Sequence, residues 1–233
     1  DLASLRLGVS GGSALPVELL RRFEATFDCE ILEGYGLSET SPVACFNHPG
    51  EAHQPGSIGR AVRGCEMQLV TPDGAVVPEG DEETLGEVWI RGENVMKGYW
   101  KKPDATEEAM RGGWFHSGDL AVRDDDGFYF IKDRKKDMIL RNGFNVYPRE
   151  VEELLYTHPD VAEAAVFGVP HAEHGEEIAA KVTLKEGGTV TADELREWVK
   201  GQIAAYKYPR IVQFGILPKG PTGKILKREI TLE

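Results

Sequence analysis

The charged run Asp133-Arg134-Lys135-Lys136-Asp137 constrains the fold most, because the pattern of the chain differs on its two sides. Before it, residues 5–9 read as a buried strand that ends in Ser10-Gly11-Gly12-Ser13. A helix is predicted next, with Pro16 near its first turn and Val17, Leu20, Phe23 and Phe27 on one face. Ile31-Leu32 opens a second strand that ends at Gly34-Tyr35-Gly36. Strand, glycine turn, helix and strand in that order make an α/β unit. Over residues 56–100, glycines and Pro72-Asp73-Gly74 separate short strands at 67–70 and 87–91, the pattern of a small β-rich subdomain. Residues 127–131 give one more strand.

Beyond the run, a helix is predicted over 148–156, with Pro148 in its first turn and Val151, Leu154 and Leu155 inward. Strands follow at 161–169 and 177–184. Thr191-Ala192-Asp193-Glu194 is a capping box that opens a helix with Leu195, Trp198, Val199 and Ile203 inward. A last strand covers 211–214. This is a compact α+β module of about 95 residues, so the chain divides into residues 1–134 and 135–233 with the charged turn as the hinge.

A length of 233 residues suits one large or two ordinary domains, and 41% apolar with 28% charged residues describes a soluble globular chain. No apolar run approaches the roughly 18–20 residues of a membrane helix. No signal peptide is visible, and the chain opens on Asp1, so it is expected to start inside a longer product. The net charge of −12 argues against a broad basic face for nucleic acid. It does not bear on anionic small ligands, which are held by local charge. Residues 132–141 supply such charge in Lys132, Arg134, Lys135, Lys136 and Arg141. As residues alone they are either a solvated turn or a linker that handles phosphate or ribose. Cys29, Cys45 and Cys65 are odd in number and lack CxxC spacing. They point to a reducing, cytoplasmic compartment and away from a disulfide scaffold or a zinc site. Cys29 is read as packing.

Short motifs occur in order along the chain: Gly34-Tyr35-Gly36-Leu37-Ser38-Glu39-Thr40, Ser117-Gly118-Asp119-Leu120, Asp133-Arg134-Lys135-Lys136-Asp137-Met138-Ile139-Leu140 and Pro221-Thr222-Gly223-Lys224. The series resembles that of the adenylate-forming acyl-CoA synthetase superfamily, which includes beetle luciferases and peptide-synthetase adenylation domains. Residues 34–42 and 133–148 look most like the bacterial long-chain fatty acid–CoA ligases. The resemblance covers residues 34–228 and implies a C-terminal portion of such an enzyme. Residues 1–134 would be the C-terminal part of the large adenylating domain, and residues 135–233 the small mobile domain. The family's Gly/Ser/Thr-rich phosphate loop should lie well before Tyr35, and 34 residues precede Tyr35 here.

The resemblance implies a ligase that joins a carboxylic acid, here a fatty acid, to ATP, and then transfers the acyl group to coenzyme A. ATP and coenzyme A are co-substrates and Mg²⁺ the metal. The chain alone is expected to turn over weakly or not at all. Alternatives are an aryl or short-chain acid as substrate, a carrier protein as acceptor, or a non-catalytic fragment that holds nucleotide or coenzyme A. Oligomeric state, a homodimer included, is left open.

Residue by residue, the resemblance sets Tyr35 against adenine, with the Glu33-Gly34 backbone, Gly36 and the Gly11-Gly12 turn nearby. Flanking glycines let a backbone approach a flat ring. By itself Tyr35 is a tyrosine packed at a strand end. Ser38 matches a phosphate-contacting hydroxyl, and Glu39 a hard oxygen ligand for Mg²⁺; alone, Glu39 is a solvated carboxylate or a helix cap. Asp119 matches the acid that accepts the ribose hydroxyls, with Arg134 beside it; alone, it is a turn Asp after Gly118. Lys224 matches the cation that stabilises charge in adenylation. It is not a Walker lysine, since Pro218 stands where that loop needs Gly and Ile225 where it needs Ser or Thr. Lys136 falls at the hinge and Gly143 at the coenzyme A channel, although Asn142 is bulkier than the small residues of many relatives. Leu140 stands where some members carry a second Lys, which favours the fatty-acid branch.

Three further features have plainer readings. His116 is structural, because a carboxylate that is already ionised needs no general base. Tyr206-Lys207-Tyr208-Pro209 packs the small domain or lies near the coenzyme A path. His171-Ala172-Glu173-His174 has the spacing of a metal pair, but no third ligand is in reach by sequence, so zinc is not expected.

Overall fold

The computed structural model describes residues 2–51 and 54–232. Asp1, on which the expectation of an internal start rests, lies outside them. The chain forms two compact units, Asp1–Lys135 and Lys136–Glu233.

In the first unit, β1 (Leu7–Ser10) leads through α1 (Val17–Phe27) to β2 (Glu30–Gly36), which lies parallel to it. Pro16 sits just before α1, and Asp28 ends the helix in a left-handed conformation. Helices of this length are marginal alone, so packing must hold this one. Leu20 is buried with Cys29 and Ile31, and the Ile31 N–H donates to the Glu24 carboxylate at 2.8 Å. The strand β3 (Val43–Phe46) runs antiparallel to β2, and β4 (Arg60–Ala61) to β3.

A second sheet is an antiparallel meander of β5 (Cys65–Val70), β6 (Gly86–Gly92), β7 (Phe115–Arg123) and β8 (Tyr129–Arg134). A short helix, α2 (Pro103–Ala109), lies between β6 and β7 in the chain and starts on proline. The two sheets share one core, in which Ala44, Cys45 and Ile58 join Leu69, Val88, Ile90 and Phe115.

One expectation for this unit fails, and so does the plain alternative for Asp119, a turn after Gly118. Strand β1 is not buried: Leu7 is 39% and Val9 66% exposed. Among the described residues it is an edge strand paired with β2 alone, so its apolar run is covered on one side only. Gly118 is not a turn residue. It lies within β7, with φ 72, where the register of β7 against its neighbours shifts.

The second unit begins with a hairpin of β9 (Ile139–Arg141) and β10 (Phe144–Val146). Its two-residue turn is Asn142-Gly143, with φ 51 and 80, as a type I′ turn requires. Then follow α3 (Pro148–Tyr156), β11 (Val161–His171), β12 (Gly175–Leu184), α4 (Ala192–Lys200) and β13 (Ile211–Phe214). The sheet runs β10-β9-β12-β11, with β13 parallel to β12. Val151 and Leu155 of α3 and Leu195 and Val199 of α4 are fully buried with Ile178, Ala180 and Val182 of β12. The capping box at α4 is formed: the Glu194 N–H donates to the Thr191 hydroxyl at 3.2 Å, and the Thr191 N–H to the Glu194 carboxylate at 2.9 Å. No helix among the described residues is long and apolar enough to cross a membrane.

Candidate functional site

A cleft of about 660 Å³ opens in the first unit where β1 and β2 end. Its lining includes Gly11, Gly12, Gly34, Tyr35, Gly36, Ser38, Glu39 and Arg134. Backbone demands explain the glycines about Tyr35. A Cβ at Gly34 would lie 2.3 Å from the Phe46 ring, and one at Gly36 would lie 1.7 Å from the Pro42 carbonyl oxygen. Both follow from the close approach of β3 to β2. Gly12 differs: no atom crowds it, and its φ of +81 is what favours glycine there.

Register builds a polar group at the cleft wall: Tyr35 and Arg134 line the cleft, and Asp119, which is not among the lining residues, is buried against them. Asp119 on β7 is the direct cross-strand partner of Arg134, the last residue of β8. Such pairs have side chains within reach, and the Arg134 Nε donates to Asp119 Oδ1 at 2.9 Å. The Tyr35 hydroxyl donates to Asp119 Oδ2 at 2.6 Å. The Asp119 side chain is 4% exposed and the Arg134 side chain 39%, so the carboxylate is buried while its cation reaches solvent. Burial pushes the Tyr35 phenol well above its ordinary range, and the Asp119 charge and hydrogen bond push it further. Tyr35 therefore stays a donor to Asp119 at any physiological pH.

Ser38 and Glu39 lie in a short 3-10 turn, Ser38–Thr40, directly after β2. The buried Thr40 holds that turn, accepting from the Leu37 N–H at 2.9 Å and donating to the Pro42 carbonyl at 2.8 Å. Glu39 Oε1 accepts from the Tyr99 hydroxyl at 2.8 Å. Burial, then this hydrogen bond and the Glu39 charge, push Tyr99 up to about 12. Tyr99 lines the cleft and was not foreseen, since 60 residues separate it from Glu39. A carboxylate has about four lone-pair sites, so Glu39 retains capacity for a hard cation such as Mg²⁺.

The other sequence candidates have mixed placements. Glu33 is not among the lining residues. Its carbonyl accepts from the Asn47 backbone N–H and side-chain amide at 3.1 and 3.0 Å, and its carboxylate accepts from the Gly56 N–H at 3.2 Å. His116 lines the cleft but packs against Trp89, ring centroids 3.9 Å apart and planes tilted by 32°. The three cysteines are buried, and burial raises the Cys45 and Cys65 thiols, so neither suits a nucleophile.

In the second unit Lys136 is exposed in the turn at 135–137. Lys224 is exposed at the tip of a tight turn, in which the Gly223 N–H donates to the Gly220 carbonyl and the Gly220 N–H to the Lys224 carbonyl, both at 2.9 Å. Gly143 needs its glycine for the hairpin: φ is +80 and a Cβ there would meet nothing within 4 Å. The Phe144 ring next to it stacks on Tyr206 at 4.7 Å. The expectation that His171 and His174 lack a third ligand is corrected. The antiparallel return of β12 brings Glu177 beside them.

A family profile described as "AMP-binding enzyme" matches residues 1–100, and one described as "AMP-binding enzyme C-terminal domain" matches residues 150–224. A long-chain-fatty-acid–CoA ligase of Bacillus subtilis (strain 168) is 42% identical, over 100% of this chain and 41% of its own length. A feruloyl-CoA synthase of an Amycolatopsis species is also 42% identical, over 99% of this chain and 46% of its own length. The crystal structure of ATP-bound MatB from Rhodopseudomonas palustris superposes with a TM-score of 0.90 at 36% identity, over 95% of this chain and 44% of that one. The chain thus spans less than half the length of each.

Proposed function

Since the chain belongs to the AMP-binding enzyme family, we propose that it supplies the C-terminal part of an AMP-forming acyl-CoA ligase for fatty acids. In the first reaction the acid's carboxylate oxygen bonds to the α-phosphorus of ATP and the bond to pyrophosphate breaks. In the second the thiol sulfur of coenzyme A takes the acyl carbon and AMP leaves.

The observation that carries this reading is the Tyr35–Asp119–Arg134 group, whose Tyr35 and Arg134 line a glycine-lined cleft. Asp119 accepts from Tyr35 and Arg134, which hold its carboxylate in place as the acceptor for the hydroxyls of a ribose. Arg134 pairs with Asp119 and adds a donor at the cleft wall. The Tyr35 ring, held between Gly34 and Gly36, offers a face to adenine. Ser38 and Glu39 take the phosphate end, with Glu39 the residue that would hold Mg²⁺. When bound, that ion neutralises charge on the phosphate oxygens. Lys224 adds a cation for the same charge, in electrostatic rather than proton-transfer catalysis. Lys136 serves as hinge and Gly143 as part of the coenzyme A channel, beside the stacked Phe144 and Tyr206.

A second reading, an aryl acid as substrate, is favoured by the equal identity to a feruloyl-CoA synthase. Mass spectrometry tests both. The chain alone, and the chain joined to the N-terminal remainder of a long-chain ligase relative, are incubated with ATP, Mg²⁺, coenzyme A and a panel of alkyl and aryl acids. The joined protein should form acyl-AMP and acyl-CoA, with fatty acids preferred, and the chain alone should form little or none. Because the added segment shapes the acid pocket, an aryl preference that persists with the chain's own N-terminal sequence would replace the fatty-acid reading. Acyl-AMP without acyl-CoA would make a carrier protein the acceptor.

A further inference from the structure

The hairpin between β11 and β12 gathers His171, His174 and Glu177 so that one ligand atom from each lies within 4.8 Å of the others. None of the three has a part in the adenylation reading. The two imidazoles stack face to face, centroids 4.4 Å apart and planes 6° off parallel, which puts both rings on one side of the turn. Glu177 faces them from β12 and is 7% exposed.

Each residue retains coordinating capacity. The His174 Nδ1 lies 2.9 Å from Asn142 Oδ1, an acceptor, and the tautomer that satisfies this contact carries its proton on Nδ1 and keeps the Nε2 lone pair. A metal-bound imidazole is oriented in this way by its second nitrogen. The Asn142 N–H donates to the His174 carbonyl at 3.0 Å, so ring and backbone are both fixed. The His171 Nδ1 accepts from two backbone N–H groups, of Glu173 and His174, at 3.2 and 3.3 Å. Those bonds are long and shared, so coordination displaces weak contacts or moves one ring proton. Glu177 Oε1 accepts from Arg141 Nε at 2.7 Å and the Ile178 N–H at 2.9 Å, and Oε2 accepts from Arg141 Nη2 at 3.0 Å. Of about four lone-pair sites three are taken, and the one left is on Oε2. The guanidinium opposes a second cation there, so the two imidazoles must carry most of the affinity.

We propose that His171, His174 and Glu177 form a site for a divalent transition-metal ion of the Zn²⁺ class, with both imidazoles as principal ligands and Glu177 Oε2 as the third. Two nitrogens and one oxygen, with a water completing a tetrahedron, suit Zn²⁺. The ligands must close from their present spread to bonds of about 2.0–2.2 Å, and the exposed turn 172–174 allows that. An ion there pins the β11–β12 hairpin to the Asn142-Gly143 turn through the His174–Asn142 contacts.

The test is isothermal titration of the tag-free, chelator-treated chain with ZnCl₂, run beside His171→Ala, His174→Ala, Asn142→Ala and His48→Ala. Saturable binding of one ion is expected. Each ligand variant should weaken it at least about tenfold, Asn142→Ala by about tenfold at most, and the exposed His48 variant not at all. Because His171 is accessible and its replacement leaves the Arg141–Glu177 pair whole, that variant should melt at the wild-type temperature without metal. Absence of saturable heat in the wild type overturns the site, as does undiminished binding in a His171→Ala/His174→Ala double variant.

Discussion

Two arginine–carboxylate pairs, one in each unit, are built alike and finished differently. Arg141–Glu177 is closed: its side chains are 11% and 9% exposed, and two guanidinium nitrogens meet both carboxylate oxygens. Arg134–Asp119 is half open: Nε meets Oδ1 at 2.9 Å, the carboxylate is buried and the cation is 39% exposed on a cleft. A closed pair fixes a fold, and breaking one leaves a buried charge. An open pair keeps a carboxylate dry and oriented while leaving its cation within reach of something outside the protein. The same chemistry thus serves architecture in one place and recognition in the other.

The largest test breaks the closed pair. Arg141→Met should cost the second unit about 3–5 kcal/mol, read as a lower urea midpoint. Glu177 sharpens it through pH. Burial raises its pKa, but the Arg141 hydrogen bonds, the Ile178 N–H and the Arg141 charge outweigh that and leave it below its ordinary value. A depressed carboxylate stabilises above its unfolded pKa of about 4.3, and that stability is lost as pH falls through the folded value. The gap between wild type and Arg141→Met should therefore be full at neutral pH and narrow below about pH 4. A gap that does not change with pH would show that the pair is not the source.

Next in size is an exposed cation, Lys224. Lys224→Ala in the joined ligase should slow acyl-AMP formation by about 10²–10³ with the urea midpoint unchanged. A lowered midpoint with normal turnover would make Lys224 architectural. Asp119→Asn should cost about 1–3 kcal/mol of stability, less than the closed pair, while ATP binding in the joined protein falls below detection. If it destabilises as much as Arg141→Met and leaves ATP affinity intact, the contrast between the pairs is void. Tyr35→Phe is the finest probe: it deletes one hydrogen bond and keeps the ring, so about 1 kcal/mol should be lost from stability, with ATP affinity nearly kept.

Local chemistry made much of this legible in sequence. Pro148 at a helix start, the Thr191–Glu194 box and the 211–214 strand depend on near neighbours, and α3, α4 and β13 follow them. Gly34 and Gly36 drew attention to Tyr35, and their reason is the approach of β3. What sequence left out depends on distant register. Gly118 reads as a turn in any local window, yet pairing within the sheet makes it part of β7 and sets Asp119 opposite Arg134. Tyr99 reaches Glu39 across 60 residues, and Glu177 reaches the histidine pair only because β12 folds back on β11. The exposure of β1 was hidden for the opposite reason: an apolar run looks the same whether one or both sides are covered.

That uncovered strand governs how the chain behaves in a tube. An edge with free backbone donors and acceptors beside Leu7 and Val9 is a template for a second copy. What keeps copies apart is mutual repulsion from the net charge of −12 at pH 7. Near the sequence pI of about 5.1 that repulsion vanishes. Storage near pH 5 or at high salt should therefore cloud the solution first.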